Sequence, residues 1–81
     1  MFEKLKQLKR IKELQESIQK ERFEVEKNGV KTAINGGFVV EEVCLNPELT
    51  KEEQERLLKS CLNEAMQKVH LTIAKKFSEM S

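Results

Sequence analysis

Three short apolar, β-branched runs, at residues 23–25, 30–34 and 38–45, are separated by Asn28-Gly29 and by Asn35-Gly36-Gly37, with strongly helical sequence on either side. Asn-Gly between alternating runs is a strong hairpin signal, because both residues tolerate the positive φ of a type I′ turn. The chain therefore reads helix (about 2–21), strands (about 22–27, 30–35 and 38–45), helix (about 51–79), one α+β domain over residues 1–81. A three-stranded antiparallel meander has one apolar face to bury, and this order offers two helices to cover it. Chemistry is then expected on helix surfaces or chain ends.

A two-residue loop at Asn28-Gly29 pairs Phe23 with Ile34, Val25 with Thr32 and Lys27 with Val30 on one face, and Glu24 with Ala33 and Glu26 with Lys31 on the other. The first face is apolar and the second is expected to be solvated. A three-residue Asn35-Gly36-Gly37 connection places Phe38 opposite Ile34 and Val40 opposite Thr32. Val43 and Leu45 break the period of two after Val40, and a bulge near Glu41-Glu42 would restore the face. Asn46-Pro47 ends the strand, and Thr50-Lys51-Glu52-Glu53 has the pattern of a capping box.

In the first helix Leu8, Ile11, Leu14 and Ile18 share an arc of about 120°, with Lys6, Lys9, Arg10, Lys12 and Lys20 opposite. Phe2 and Leu5 lie off that stripe and Lys4 projects on its apolar side, so the first turns are expected to project beyond the sheet. In the last helix Leu58, Cys61, Leu62, Ala65, Met66, Val69, Ile73, Phe77 and Met80 form one wide stripe, more apolar area than three short strands can cover. The surplus predicts a homodimer, with Leu58, Leu62, Ala65, Val69 and Ile73 as interface residues. Small size points the same way, since a chain of 81 residues has a thin core. Lys76 falls inside the stripe, which predicts that the last turns leave the core.

Net charge is only +1, but its distribution is uneven. Residues 1–12 hold five basic side chains against one acid, residues 41–55 hold six glutamates against one lysine, and Lys68, Lys75 and Lys76 make the end basic again. No apolar run approaches a membrane span, and residues 1–12 are too charged for a signal peptide, so a cytosolic protein is expected. Cys44 and Cys61 sit in no metal-ligand spacing and are read as reduced, structural thiols. His70, the one histidine, is read as a rim residue rather than a ligand or base. The sequence calls for no cofactor, metal or small-molecule substrate.

Residues 30–36 (Val-Lys-Thr-Ala-Ile-Asn-Gly), residues 40–49 (Val-Glu-Glu-Val-Cys-Leu-Asn-Pro-Glu-Leu), Leu57-Leu58 and Leu62-Asn63-Glu64-Ala65 stand in fixed order and spacing. Together they resemble the YbaB/EbfC family of nucleoid-associated DNA-binding proteins: its strand ending in Asn-Gly, its Val-x-x-Val-x-Ile-Asp-Pro-x-Leu segment and its Asn-Asp-Ala helix. The resemblance implies an α-β-β-β-α protomer in a tight homodimer, with helical ends projecting like tweezer arms. It also implies duplex DNA binding with little base specificity, in chromosome organisation or regulation at the nucleoid. The chain departs from the pattern in its short Lys27-Asn28-Gly29 loop, in Asn46 before the proline and in Glu64.

The charge map and the resemblance nominate Lys4, Lys6, Lys9, Arg10, Lys12, Lys75 and Lys76 as phosphate contacts, with affinity supplied by counterion release. The competing reading is a protein-interaction or chaperone-like adaptor of the prefoldin type. It is disfavoured because the first helix lacks a sustained heptad. An enzyme is least supported: there is no phosphate-binding glycine loop and no Ser/His or Cys/His pair.

Overall fold

A computed structural model of the chain describes residues 2–80, with side-chain surroundings for residues 4–79. The order is α1 (Phe2–Lys20), β1 (Arg22–Lys27), β2 (Val30–Asn35), β3 (Val40–Cys44) and α2 (Lys51–Met80). The strands form one antiparallel sheet in the order β1-β2-β3. The molecule is a rod of 59 × 18 × 13 Å. The side chains of Phe2, off the stripe of the first helix, and of Met80, in that of the last, lie outside the described residues.

The first hairpin follows its turn chemistry. Asn28 (φ 49°) and Gly29 (φ 83°) occupy the left-handed region, and the register runs from Arg22 opposite Asn35 to Lys27 opposite Val30, as expected. Asn46 fastens this turn from outside: its amide donates to the Asn28 carbonyl at 2.8 Å. An ionised Asp at this position could only accept, so the Asn that departs from the family pattern has a use here.

The second connection differs from expectation. Asn35 N–H donates to the Val39 carbonyl at 2.9 Å, and the Asn35 side-chain oxygen accepts from Gly37 and Val39 N–H. The loop therefore runs through Phe38, which is held at φ 60°, and Val40 rather than Phe38 stands opposite Ile34. Glu41 is the extra residue, since Ala33 pairs with Glu42, and Val43 rather than Val40 faces Thr32. The bulge sits where the broken alternation required it, but the loop before it is longer. The strand shortens accordingly from 38–45 to Val40–Cys44.

The core lies between the sheet and one helix. α2 crosses β1 and β2, burying Leu57, Cys61, Ala65 and Val69 against Val25, Val30 and Ile34. Thr50 caps it by accepting from Glu53 N–H at 3.2 Å. The expectation of two helices covering the sheet is corrected: among the described residues of α1 only Ile18 is buried, Ile11 and Leu14 are half-buried, and Leu8 is 62% exposed. β3 receives no cover from α2. On the outer face Arg22, Lys31, Glu24, Glu41 and Glu42 form a lattice of ion pairs. Ala33, between Glu24 and Glu42 in register, is thereby fully enclosed on the side expected to be solvated.

Candidate nucleic-acid interface

α1 projects from the body as an arm. Its 19 residues span about 28 Å, and its root lies against the β2–β3 loop and the last turns of α2, at Ile18, Gly36, Ile73 and Phe77. Lys4, Lys6, Lys9, Arg10 and Lys12 are all exposed, and none has an ion-pair partner among the described residues. Free, solvated cations are what phosphate binding requires, because their hydration and counterions are surrendered only on contact. Around the arm, at about 100° per residue, Lys6, Lys9 and Lys12 face away from Ile18, Arg10 stands to one flank, and Lys4 lies on the Ile18 side, nearer the tip.

The two lysines nominated near the other end part company. Lys75 is exposed, whereas Lys76 is half-buried and its ammonium pairs with Glu21 at 2.5 Å. Already neutralised, Lys76 is not equivalent to the arm cations. Arg56 and Lys59 are further exposed cations, on the outer face of α2 beside Ser60, Asn63 and Gln67. They stand singly among acids in sequence, so charge clustering gives no hint of them.

The apolar surface is likewise redistributed. Ala65 and Val69 are 0% exposed in the protomer, enclosed by its own sheet, and offer nothing to a second copy. Ile73 packs half-buried on the core, and Leu58 and Leu62 remain half-buried. The uncovered apolar surface lies beside them, on β3 and the adjoining loop. Val40 (50% exposed), Val43 and Leu45 (54%) form an apolar trough beyond the reach of α2, and Leu58 of α2 lines a cleft at its Leu45 end. No such trough is expected where two helices cover the sheet.

Cys61 is buried, its thiol donating to the Val30 carbonyl at 3.5 Å, and burial pushes its pKa up. Cys44 is exposed beside the Glu42 carboxylate, which accepts from its thiol at 3.3 Å and raises its pKa. Both thiols are thus held protonated and weakly nucleophilic. His70 lies on the α2 surface with its ring centroid 4.9 Å from that of Phe38. Among the described residues no group of three or more His, Cys, Asp or Glu could hold a metal ion, and no helix is long and apolar enough to cross a membrane.

A small α-β-β-β-α scaffold that holds out a cationic helix has the equipment of an electrostatic binder of polyanions. The chain belongs to the YbaB/EbfC DNA-binding family, whose model matches residues 1–81. That membership supports a nucleoid-associated DNA-binding role. No curated protein and no solved structure matched it significantly.

Proposed function

We propose that this protein binds duplex DNA with little sequence preference through the α1 arms of a homodimer, acting at the nucleoid in chromosome organisation or regulation. The observation that carries the reading is the unpaired, exposed set Lys4, Lys6, Lys9, Arg10 and Lys12 on a helix anchored to the body at its root. Lys75 adds charge near that root. Contacts of this kind go to phosphates and carry no base information, so affinity should be similar across unrelated duplexes. The dimer is built on the β3 trough and on α2, from Val40, Val43, Leu45, Leu58, Leu62 and Met66. An uncovered edge strand with an apolar face is otherwise an aggregation hazard.

The test is a gel-shift titration with random duplex DNA at several salt concentrations. With roughly six phosphates neutralised, log K should fall against log salt with a slope near about −5. Changing Lys9, Arg10 and Lys12 together to Glu should abolish binding and leave melting temperature and dimer nearly unchanged. Tight binding by that triple variant at low salt would refute the arm assignment. Leu5 (63% exposed) and Leu8 favour a second reading, in which the arm docks a protein. Absence of any salt-sensitive DNA binding by the wild type would favour it.

A further inference from the structure

We propose that Glu21, Gly36 and Lys76 form a joint that fixes the angle of the α1 arm, so that Lys76 serves DNA binding as a positioning residue rather than as a phosphate contact. The inference rests on the reading of α1 as the DNA-binding arm.

Three segments distant in sequence meet at this point. Glu21, the single residue between α1 and β1, donates its N–H to the Ile18 carbonyl at 3.0 Å, closing the helix. Its own carbonyl accepts from Gly36 N–H in the β2–β3 loop at 3.1 Å, and its carboxylate takes the Lys76 ammonium from α2. Gly36 admits the helix end because it has no side chain: a Cβ there would lie 1.8 Å from the Ile18 carbonyl oxygen and 2.4 Å from its carbon, both backbone atoms. Glu21 therefore touches α1, the sheet and α2 at once.

The consequence follows from how little else holds the arm. Ile18 is the one buried residue of α1 among those described, and the cleft beside it, of ≈ 340 Å³, runs between Gln15 and Gln19 of α1 and Ile73 and Phe77 of α2. A helix seated on one side chain beside an open cleft can swing about that contact. An ion pair that would count for little in a well-packed element then weighs heavily on the distribution of arm angles. Phosphates engaged by two arms of a dimer lie at fixed spacing, so a wider angular spread lowers the fraction of molecules able to bind.

The test compares Lys76→Gln, Glu21→Gln and the swap Glu21→Lys with Lys76→Glu. Each single variant should weaken binding to random duplex DNA by about two- to fivefold with an unchanged salt slope, although Glu21→Gln makes the protein more positive. The swap should return affinity to within about twofold of wild type. Spin labels at Gln7→Cys and Gln67→Cys in a Cys44→Ser background, diluted with unlabelled protein, should give a narrow distance distribution in the wild type. It should broaden in either single variant and narrow again in the swap.

A shallower salt slope in Lys76→Gln, with tighter binding by Glu21→Gln, would make Lys76 a phosphate contact and overturn the proposal. So would identical distance distributions in all four proteins. If the wild type binds no DNA the underlying reading fails, and the spin-label distances still decide whether the joint sets the arm.

Discussion

The body and the arm of this molecule obey different rules. In the body, α2 and two strands enclose Val30, Cys61, Ala65 and Val69 completely, and every position is constrained by a partner across the interface. In the arm, α1 carries an equally regular apolar stripe, yet Leu8 is as exposed as a surface residue and, among the described residues, only Ile18 is enclosed. Periodicity thus specifies helix in both places and burial in only one. Whether a stripe is covered depends on the area the rest of the chain can offer, and one helix laid over two of the three strands has none left for α1 or β3.

The sharpest way to break that contrast is one charge in each region. Val69→Asp places a carboxylate in a site with no partner, and should lower stability by about 3–5 kcal/mol, enough to unfold so small a protein. Leu8→Asp should change stability by less than about 0.5 kcal/mol, because the side chain is already in water. Chemical denaturation of the two variants measures both. Comparable losses would mean that Leu8 is covered in the assembled protein, and the arm would have to be redrawn as part of an interface.

The same contrast explains what was legible in the sequence. The first hairpin could be read to the residue, because Asn28-Gly29 fixes a turn and a turn fixes register. The Glu41 bulge was legible from broken alternation, while the path of the loop before it was not. Phe38 looks like a strand residue in sequence, and its left-handed backbone arises from hydrogen bonds wrapped around the Asn35 side chain. The arm cations could be read because their neighbours along the chain carry the same charge. Lys76 could not, since its partner lies 55 residues away at Glu21. Likewise Ala65 and Val69 belong to the α2 stripe in sequence, and only the lie of α2 across β1 and β2 decides which part of that stripe the protomer keeps.

A smaller effect is expected at the one position where the body breaks its own rule. Thr32 is fully buried at the centre of β2, between Val25 and Val43, and its hydroxyl has no hydrogen-bond partner among the described residues. A buried hydroxyl left without a partner costs about 1–3 kcal/mol relative to water. Thr32→Val keeps the branched shape and removes the polar atom, and should raise stability by about 1 kcal/mol. Thermal unfolding checks this. A loss instead of a gain would mean that the hydroxyl is satisfied across the β3 trough when a second copy binds there, which ties this substitution to the dimer.

The outer face of the sheet should give the smallest change, visible mainly in its pH dependence. Arg22 donates to Glu24 at 2.6 Å and to Glu42 at 2.8 Å, and these hydrogen bonds hold both carboxyls below the usual carboxylate range, with Lys31 adding to the effect. A carboxyl whose pKa is lower folded than unfolded contributes stability that is present above the unfolded value, about 4.3, and is lost as pH falls through the folded value. The contribution is modest because all three groups are substantially exposed and salt screens them. Wild-type melting temperature should therefore decline on acidification from about pH 5 toward pH 3, and Arg22→Gln should make that decline shallower while lowering stability slightly at neutral pH. In high salt the two profiles should converge. If Arg22→Gln leaves the acid limb unchanged at low salt, the lattice does not stabilise the sheet, and enclosure of Ala33 rests on the packing of the side-chain stems alone.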